Sequence, residues 1–377
     1  MTAEAKKRGG IPWRKWVAAW SQRVSDLAIP FLAVFTALAI GAVVIWASGA
    51  SVPKAYQGLF EGALGSPRGI AETLVIATPY TLAGLAVALG FRCGLFNIGA
   101  EGQFYLGALF AVWVGYSVKG LPIFVHLPLA ILVGALGGAL WGAIPGFLKA
   151  RLGTHEVINT IMMNYIAVLM VDWLVNRKGP MWDATSTVPR TPYILPTATL
   201  PQLVPPYRLH AGLLIAIAAV FVVYWLLWKT TLGFEIRAVG ANPSAAKYAG
   251  MSVTRNFVLA MTFSGTLAGL AGAGEVLGLN RTLPAAFVSG YGFDSIAIAL
   301  LAKSHPLFVP FAAILWAILR NGAGLMQVRA GISVDLINIV QALVIAFVAA
   351  DEIIRWLYRI GKKEEIKEVV FTRGWGR

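Results

Sequence analysis

The sequence predicts an all-α polytopic membrane protein with about ten transmembrane helices, some broken or re-entrant, in two weakly repeated halves. Three observations carry this. Of the 377 residues, 58% are hydrophobic and 13% charged, about half the charge of an ordinary soluble domain, and the mean hydropathy is +0.72. Apolar runs long enough to cross roughly 30 Å of hydrocarbon recur along the chain. Polar, glycine-rich passages interrupt them, and such backbone cannot face lipid, so it must be buried in protein or line a wet cavity.

Residues 1–26 form a basic N-terminal segment with Trp13, Trp16 and Trp20 spaced for one helix face. It reads as an interfacial helix leading into the first crossing. As a signal peptide its apolar core would start too late and run too long. The transmembrane region follows over 27–360, and 361–377 is a C-terminal tail. Its clear apolar runs are Leu27–Pro53, Thr73–Phe91, Leu121–Leu148, Val157–Val171, Ala211–Trp228 and Asn256–Gly274. Shorter or interrupted ones are Phe104–Val118, Thr282–Gly292, Ser295–Ala302, His305–Leu319 and Leu336–Ala350. The 282–302 region, split by Asp294, is either one broken crossing or a re-entrant segment followed by a short helix.

With the N-terminus inside, 21 of the 31 Lys and Arg residues fall on the cytoplasmic side and nine outside, with Arg320 within a segment. Excess Lys and Arg marks cytoplasmic loops, so both termini are expected in the cytoplasm. The net charge of +14 is that of a basic membrane protein against lipid and calls for no nucleic acid. Arg320, at the outer end of its apolar run, reads as a snorkelling or paired residue without a transport role. The single cysteine, Cys93, excludes an internal disulfide and a cysteine metal cluster. Four scattered histidines (126, 155, 210 and 305) suggest no metal site, and no cofactor is indicated.

Two connections stand out. The external loop 176–210 is proline-rich and separates two groups of crossings, and the cytoplasmic loop 229–255 is far more polar than its surroundings. The hexapeptide Thr81–Ala86 recurs identically at Thr266–Ala271, each copy preceding a glycine-rich, acid-containing stretch with Glu101 in the first and Asp294 in the second. Transporters are often built from paired repeats with sites at their broken helices.

The passage Gly94-Leu-Phe-Asn97-Ile-Gly99-Ala-Glu101-Gly102-Gln103-Phe104 breaks the apolar sequence most sharply. Ionisable residues at membrane depth are functional candidates. Glu101 and Asp294 either contact a hydroxylated solute or pair with bases and broken-helix backbone. Asn97 and Gln103 either offer donors and acceptors to sugar hydroxyls or a purine edge, or satisfy that backbone. Glu156, Thr160 and Asn164, at i, i+4 and i+8, share one helix face, with Asn159 near it and Asp172 further along. They form either a polar stripe on a translocation path or hydrogen bonds between helices. Both readings stand for each.

In the cytoplasmic loop, Asn242 is a good N-cap, Pro243 suits the first helical position and Gly250 is a C-terminal stop. They bracket a helix of about two turns, too short to be stable alone and so expected to dock. The pattern Gly233-x-x-x-Arg237-Ala-x-Gly240-x-Asn242-Pro243-x-Ala245-Ala246-x-x-Ala249-Gly250 resembles the coupling loop of ABC importer permeases in the ribose/branched-chain amino acid superfamily. Gly94–Gln103 resembles a hallmark of the same superfamily, and Thr154–Tyr165 points to its nucleoside and simple-sugar branch. The resemblance spans roughly residues 30–360.

This resemblance implies a non-enzymatic permease of the bacterial cytoplasmic (inner) membrane, taking up nucleosides or related purine or sugar compounds. It implies three partners: an ATP-binding subunit, a second permease that is a paralogue or another copy of this chain, and a periplasmic substrate-binding lipoprotein. Glu235, Arg237, Asn242, Pro243, Ala246, Lys247 and Gly250 are then expected to couple to the ATPase. In keeping with this, the only Gly-Lys pair, Gly361-Lys362, has Trp356 where a phosphate-binding loop needs its first glycine and Lys363 where it needs Ser or Thr. A ribose-like sugar or a branched-chain amino acid is the alternative cargo. An ion-coupled carrier, which needs no docking loop, is the alternative class.

Overall fold

The computed structural model describes residues 29, 32–285, 287, 290–349 and 351–359, so the N-terminal segment 1–26 and the tail 361–377 lie outside the described residues. The elements named among them are helical, with two isolated β-bridges in loops. They fall into two units. One is Ser48–Val334; the other combines the chain before Ser48 with the chain after Val334.

The second unit holds α1 (Leu32–Ala47), most of α13 (Val334–Ala349) and α14 (Asp351–Leu357). Its termini are tied together by the Thr36 hydroxyl, 2.9 Å from the Tyr358 hydroxyl.

The larger unit runs α2 (Val52–Leu64), α3 (Pro67–Arg92), α4 (Ala100–Ser117), α5 (Ile123–Leu152), α6 (Glu156–Val175), α7 (Gly212–Lys229), α8 (Thr231–Ala241), α9 (Pro243–Tyr248), α10 (Val253–Glu275), α11 (Tyr291–Leu301) and α12 (Val309–Ala330). Among the described residues, six helices are long and apolar enough to cross a membrane: α3, α5, α6, α7, α10 extended by a π-helical turn to Asn280, and α12. The α1 and α11 helices are apolar but shorter. In α4 the polar Glu101 and Gln103 occupy the first turn.

Glycine brings the central helices together. On α5, Gly134, Gly138, Gly142 and Gly146 recur every four residues and so share one face, and α10 answers with Gly265 and Gly269. A methyl group added at Gly265 would lie 2.3 Å from the Gly138 carbonyl oxygen, and one at Gly138 2.3 Å from that of Gly265. Lipid gives no hydrophobic drive between helices, so close backbone approach through small residues supplies the packing instead.

Several elements depart from the sequence expectation. Thr282–Gly292 is not a crossing: its described residues are loop up to Gly290, and the helix beyond it is short. The 229–255 loop holds two helices, α8 as well as the expected α9, because the Thr230 hydroxyl caps Gly233 and opens another helix. The α2 helix, unread from the sequence, packs on α12, where the Glu61 carboxylate accepts from Arg329 at 2.5 and 2.7 Å. Arg320 is not at the end of its segment but near the centre of α12. The loop 176–210 is folded rather than a bare spacer: Thr191 N–H donates to the Leu283 carbonyl at 3.0 Å and Leu195 N–H to that of Gly115 at 2.8 Å.

Candidate functional site

The passage between α3 and α4 is held entirely by protein groups. Asn97, fully buried, donates through Nδ2 to Gln103 Oε1 at 3.0 Å and to the Ser264 hydroxyl of α10 at 2.7 Å. Its Oδ1 accepts the Gly99 N–H at 2.9 Å and Gln103 Nε2 at 3.3 Å. On α6, Asn164 accepts the Gly102 N–H at 2.8 Å and donates to the Ile98 carbonyl at 2.9 Å. It thus satisfies one of the free donors at the start of α4. Thr160 donates to its own helix at Glu156, and its Cβ lies close to Gly99. Glu156 pairs with Lys149 of α5 at 2.8 Å. Asn159 and Asp172 bond locally, to Thr154 and Asn176. Thr160 and Asn164 of the α6 stripe therefore meet the broken segment, while Glu156 turns to α5.

Glu101, only 4% exposed, spans to another broken helix. Its two carboxylate oxygens accept the N–H groups of Gly290 at 2.9 Å and Gly292 at 2.7 Å, at the start of α11. A carboxylate at a helix N-terminus meets both the unpaired amides and the positive end of the dipole. Glycine is required twice here. Gly290 has a left-handed φ of +65°, and a methyl at Gly292 would lie 2.2 Å from the Glu101 nitrogen.

Asp294, in the first turn of the same α11, has different surroundings. Its Oδ2 accepts from the Tyr80 hydroxyl at 2.6 Å, Trp316 Nε1 at 3.2 Å and Arg320 Nη1 at 3.1 Å. The Arg320 guanidinium also bonds the Tyr80 hydroxyl and lies 5.2 Å from the Tyr291 ring centroid, within cation–π range. Rings continue from there: Tyr80 to Tyr291 at 4.7 Å, Tyr291 to Phe104 at 5.5 Å and Phe104 to Phe287 at 5.9 Å. Of this group the sequence marks Asp294 as a pathway candidate and reads Arg320 only as a snorkelling or paired residue. The aromatic members are scattered over α3, α4, the loop before α11, α11 and α12, with no common spacing to reveal them.

At the α9 end of the unit, the Asn242 side chain accepts the Ala245 N–H at 3.0 Å, with Pro243 in the first turn and Gly250 at φ +85° after the helix. Asn242, Pro243, Lys247 and Gly250 are exposed, and Tyr248 is 97% exposed. Three residues expected with them turn inward. Ala246 is buried, Glu235 accepts from Asn256 of α10 at 2.9 Å, and Arg237 lies over the Trp228 ring. The α8 helix is pinned to the α3–α4 turn, where Gly240 allows contact with the Arg92 carbonyl. Arg92 in turn donates to the carbonyls of Ser304 at 2.8 Å and Lys303 at 3.0 Å. One continuous patch therefore joins α8, the broken passage and the turn after α11. Within it, burial pushes the Cys93 thiol up to about 12, so it stays protonated and inert.

Residues 69–349 match a family described as "Branched-chain amino acid transport system / permease component". The chain is 42% identical over 353 residues to the guanosine ABC transporter permease protein NupP of Bacillus subtilis (strain 168), covering 91% of this chain and 99% of that protein. It is 38% identical to the glucose ABC transporter permease protein TsgB13 of Haloferax volcanii, over 92% of each. It is 35% identical to the nucleoside ABC transporter permease protein NupB of Lactococcus lactis subsp. cremoris, over 94% of this chain and 99% of that one. No solved structure matches. Members of this family are membrane subunits without catalytic activity, and ATP is hydrolysed in separate subunits that act with a substrate-binding protein. Matched over most of its length by the family and over nine-tenths of it by these relatives, the chain belongs to the permease components of ABC transporters.

Proposed function

We propose that this permease imports nucleosides across the bacterial inner membrane, receiving them from an external binding protein and powered by a cytoplasmic ATPase. The observation that carries the nucleoside reading is the pair of relatives named for guanosine and nucleosides, at 42% and 35% identity over nine-tenths of the chain. A relative named for glucose, at 38% identity, supports a simple sugar as the second reading.

In this reading α9 is the coupling helix: Asn242 and Pro243 set it, and Lys247 and Tyr248 meet the ATPase. Glu235, Arg237, Ala246 and Gly250 fix its base. Loop 229–255 and both termini, including segments 1–26 and 361–377, lie in the cytoplasm, and loop 176–210 faces the binding protein. About ten crossings within 27–360, counting α4, α11 and the shorter helices, complete the domain. A second permease, a paralogue or another copy, closes the path. Asn97, Glu101, Gln103, Glu156, Thr160 and Asn164 hold the broken helices beside that path, and Asp294 reaches it.

Uptake of labelled guanosine by the complex reconstituted in proteoliposomes tests this. Guanosine accumulation that requires ATP and is outcompeted by other nucleosides, not by glucose or ribose, is expected. Glucose or ribose transported in preference to guanosine overturns the nucleoside reading.

A further inference from the structure

Two acids stand in the first turns of two helices that begin inside the bundle, yet only one is sealed in. Glu101 is 4% exposed, whereas the side chains of Asp294 and Arg320 remain 29% and 40% exposed while paired at 3.1 Å. Phe293, the residue before Asp294 on α11, is itself open, at 51%. The depth of this exposed pair follows from Tyr80, which both members touch. Tyr80 lies about 18 Å along α3 from Arg92 and about 20 Å from Pro67, at 1.5 Å per residue.

Charged groups at that depth do not face lipid without a large cost, and they normally turn to the bundle interior or a water-filled cavity. Neither side chain escapes by snorkelling: Asp294 is too short, and the Arg320 guanidinium is already turned toward mid-helix, to Tyr80 and Asp294. The exposed face is therefore wetted or covered by polar matter in the assembled transporter.

We infer that the Asp294–Arg320 face, with Tyr80 and Tyr291 behind it, lines the translocation path and is where the cargo is read. The inference rests on the permease reading above and adds the place and the ligand chemistry. The ion pair is internally neutral, so a zwitterion must break it to bind, losing one pairing to make another. A neutral solute need not. Its hydroxyls bond the outer edges of the carboxylate and guanidinium, which make stronger hydrogen bonds than neutral groups. A flat π system meets the Tyr291 ring and the guanidinium plane. The chemistry selected is thus an uncharged solute carrying both hydroxyls and a planar ring. With few groups engaged, the contact is weak enough to release.

The chain's one cysteine makes the test direct. In a Cys93→Ala background, Phe293→Cys is placed beside the pair, and Phe221→Cys on α7, 61% exposed and mid-helix, serves as the lipid-facing control. The complete transporter in proteoliposomes is treated with a charged, membrane-impermeant methanethiosulfonate, which reacts only with a hydrated thiolate. Labelling at Phe293→Cys at least about tenfold faster than at Phe221→Cys is expected, because only a wetted thiol ionises. Guanosine should slow it, and Asp294→Asn should keep the fast labelling while losing that protection. Labelling no faster than the control overturns the inference. So does fast labelling that guanosine leaves unchanged in a complex that takes up guanosine. Protection by glucose and not by guanosine leaves the face in the path but sinks the nucleoside reading.

Discussion

Replacing Glu101 by Gln removes one charge and one of two acceptors at the start of α11. In the wild type the two oxygens each take a backbone N–H, from Gly290 at 2.9 Å and Gly292 at 2.7 Å, in a site with 4% exposure. Hydrogen bonds to a charged group contribute about 1.5–3 kcal/mol each, and a buried donor left unmatched costs about 1–3 kcal/mol. Glutamine keeps one carbonyl oxygen but turns an amide N–H toward the second backbone N–H. The first bond weakens from charged to neutral, and the second becomes a donor facing a donor. Together these changes cost roughly 3 kcal/mol, which at 1.4 kcal/mol per factor of ten is about a hundredfold in the local opening equilibrium. Hydrogen exchange of the Gly290–Asp294 amides in the purified transporter reads this opening. Exchange there should accelerate about a hundredfold in Glu101→Gln, with the rest of α4 changed far less, and uptake should fall because α11 no longer holds its place. An acceleration below about threefold together with lost uptake would refute the capping argument. It would place Glu101 against the cargo instead.

Three further outcomes are expected. Gly265→Val drives a side chain into the Gly138 carbonyl, 2.3 Å from the first added carbon, and should destabilise the detergent-solubilised chain by about 3 kcal/mol or more. Gly274→Ala on the same helix meets open space and should melt no lower than wild type, so equal melting of the two variants would undo the packing argument. Tyr248→Ala, at a 97% exposed position, should leave thermal stability within about 0.5 kcal/mol yet weaken binding of the ATPase subunit about tenfold in a pull-down titration; unchanged binding removes Tyr248 from the coupling surface. His210, outside the crossings, accepts the Gly212 N–H through Nδ1, and burial lowers its pKa from 6.5 to about 4. The folded state therefore prefers the neutral ring. Its stability contribution is full above pH 6.5 and drains away as the pH falls toward 4, about 3 kcal/mol in all, so melting temperatures should drop through this window and flatten in His210→Gln.

What the sequence disclosed was whatever local chemistry alone decides. Asn242, Pro243 and Gly250 announce their helix because capping lies within a few residues of chain, and the structure has that helix. Apolar runs announce crossings because the bilayer sets their length. The α8 helix carries the same kind of signal, since Thr230 is a cap like Asn242, but it is set in a loop whose polarity obscures it. The four-residue glycine spacing on α5 was also legible as a close helix contact, though not which helix would answer it. Arg320 was misplaced because Asn321, Gln327 and Arg329 make the second half of α12 look like loop. That half is helical where α2 packs on it, and no local pattern foretells a partner more than 250 residues away.

Glu101 and Asp294 show where such reading stops. Each follows a copy of the same hexapeptide, each sits behind glycines, and each occupies the first turn of a helix that starts within the bundle. Local sequence gives them one signature, yet their duties diverge through what other helices bring. Glu101 finds two backbone amides of the opposite repeat and becomes a rivet between the two broken helices. Asp294, on the far end of that rivet, finds Tyr80, Trp316 and Arg320 and keeps part of its surface open. The dependence runs one way. Loosening Glu101 frees the turn that carries Asp294, whereas neutralising Asp294 leaves both Glu101 bonds intact. Glu101→Gln should therefore speed exchange at α11 and weaken cargo protection at Phe293→Cys together, while Asp294→Asn weakens protection alone. If Asp294→Asn also released the Gly290 and Gly292 amides, the two acids would form one structural unit and Asp294 would have no separate claim on the cargo.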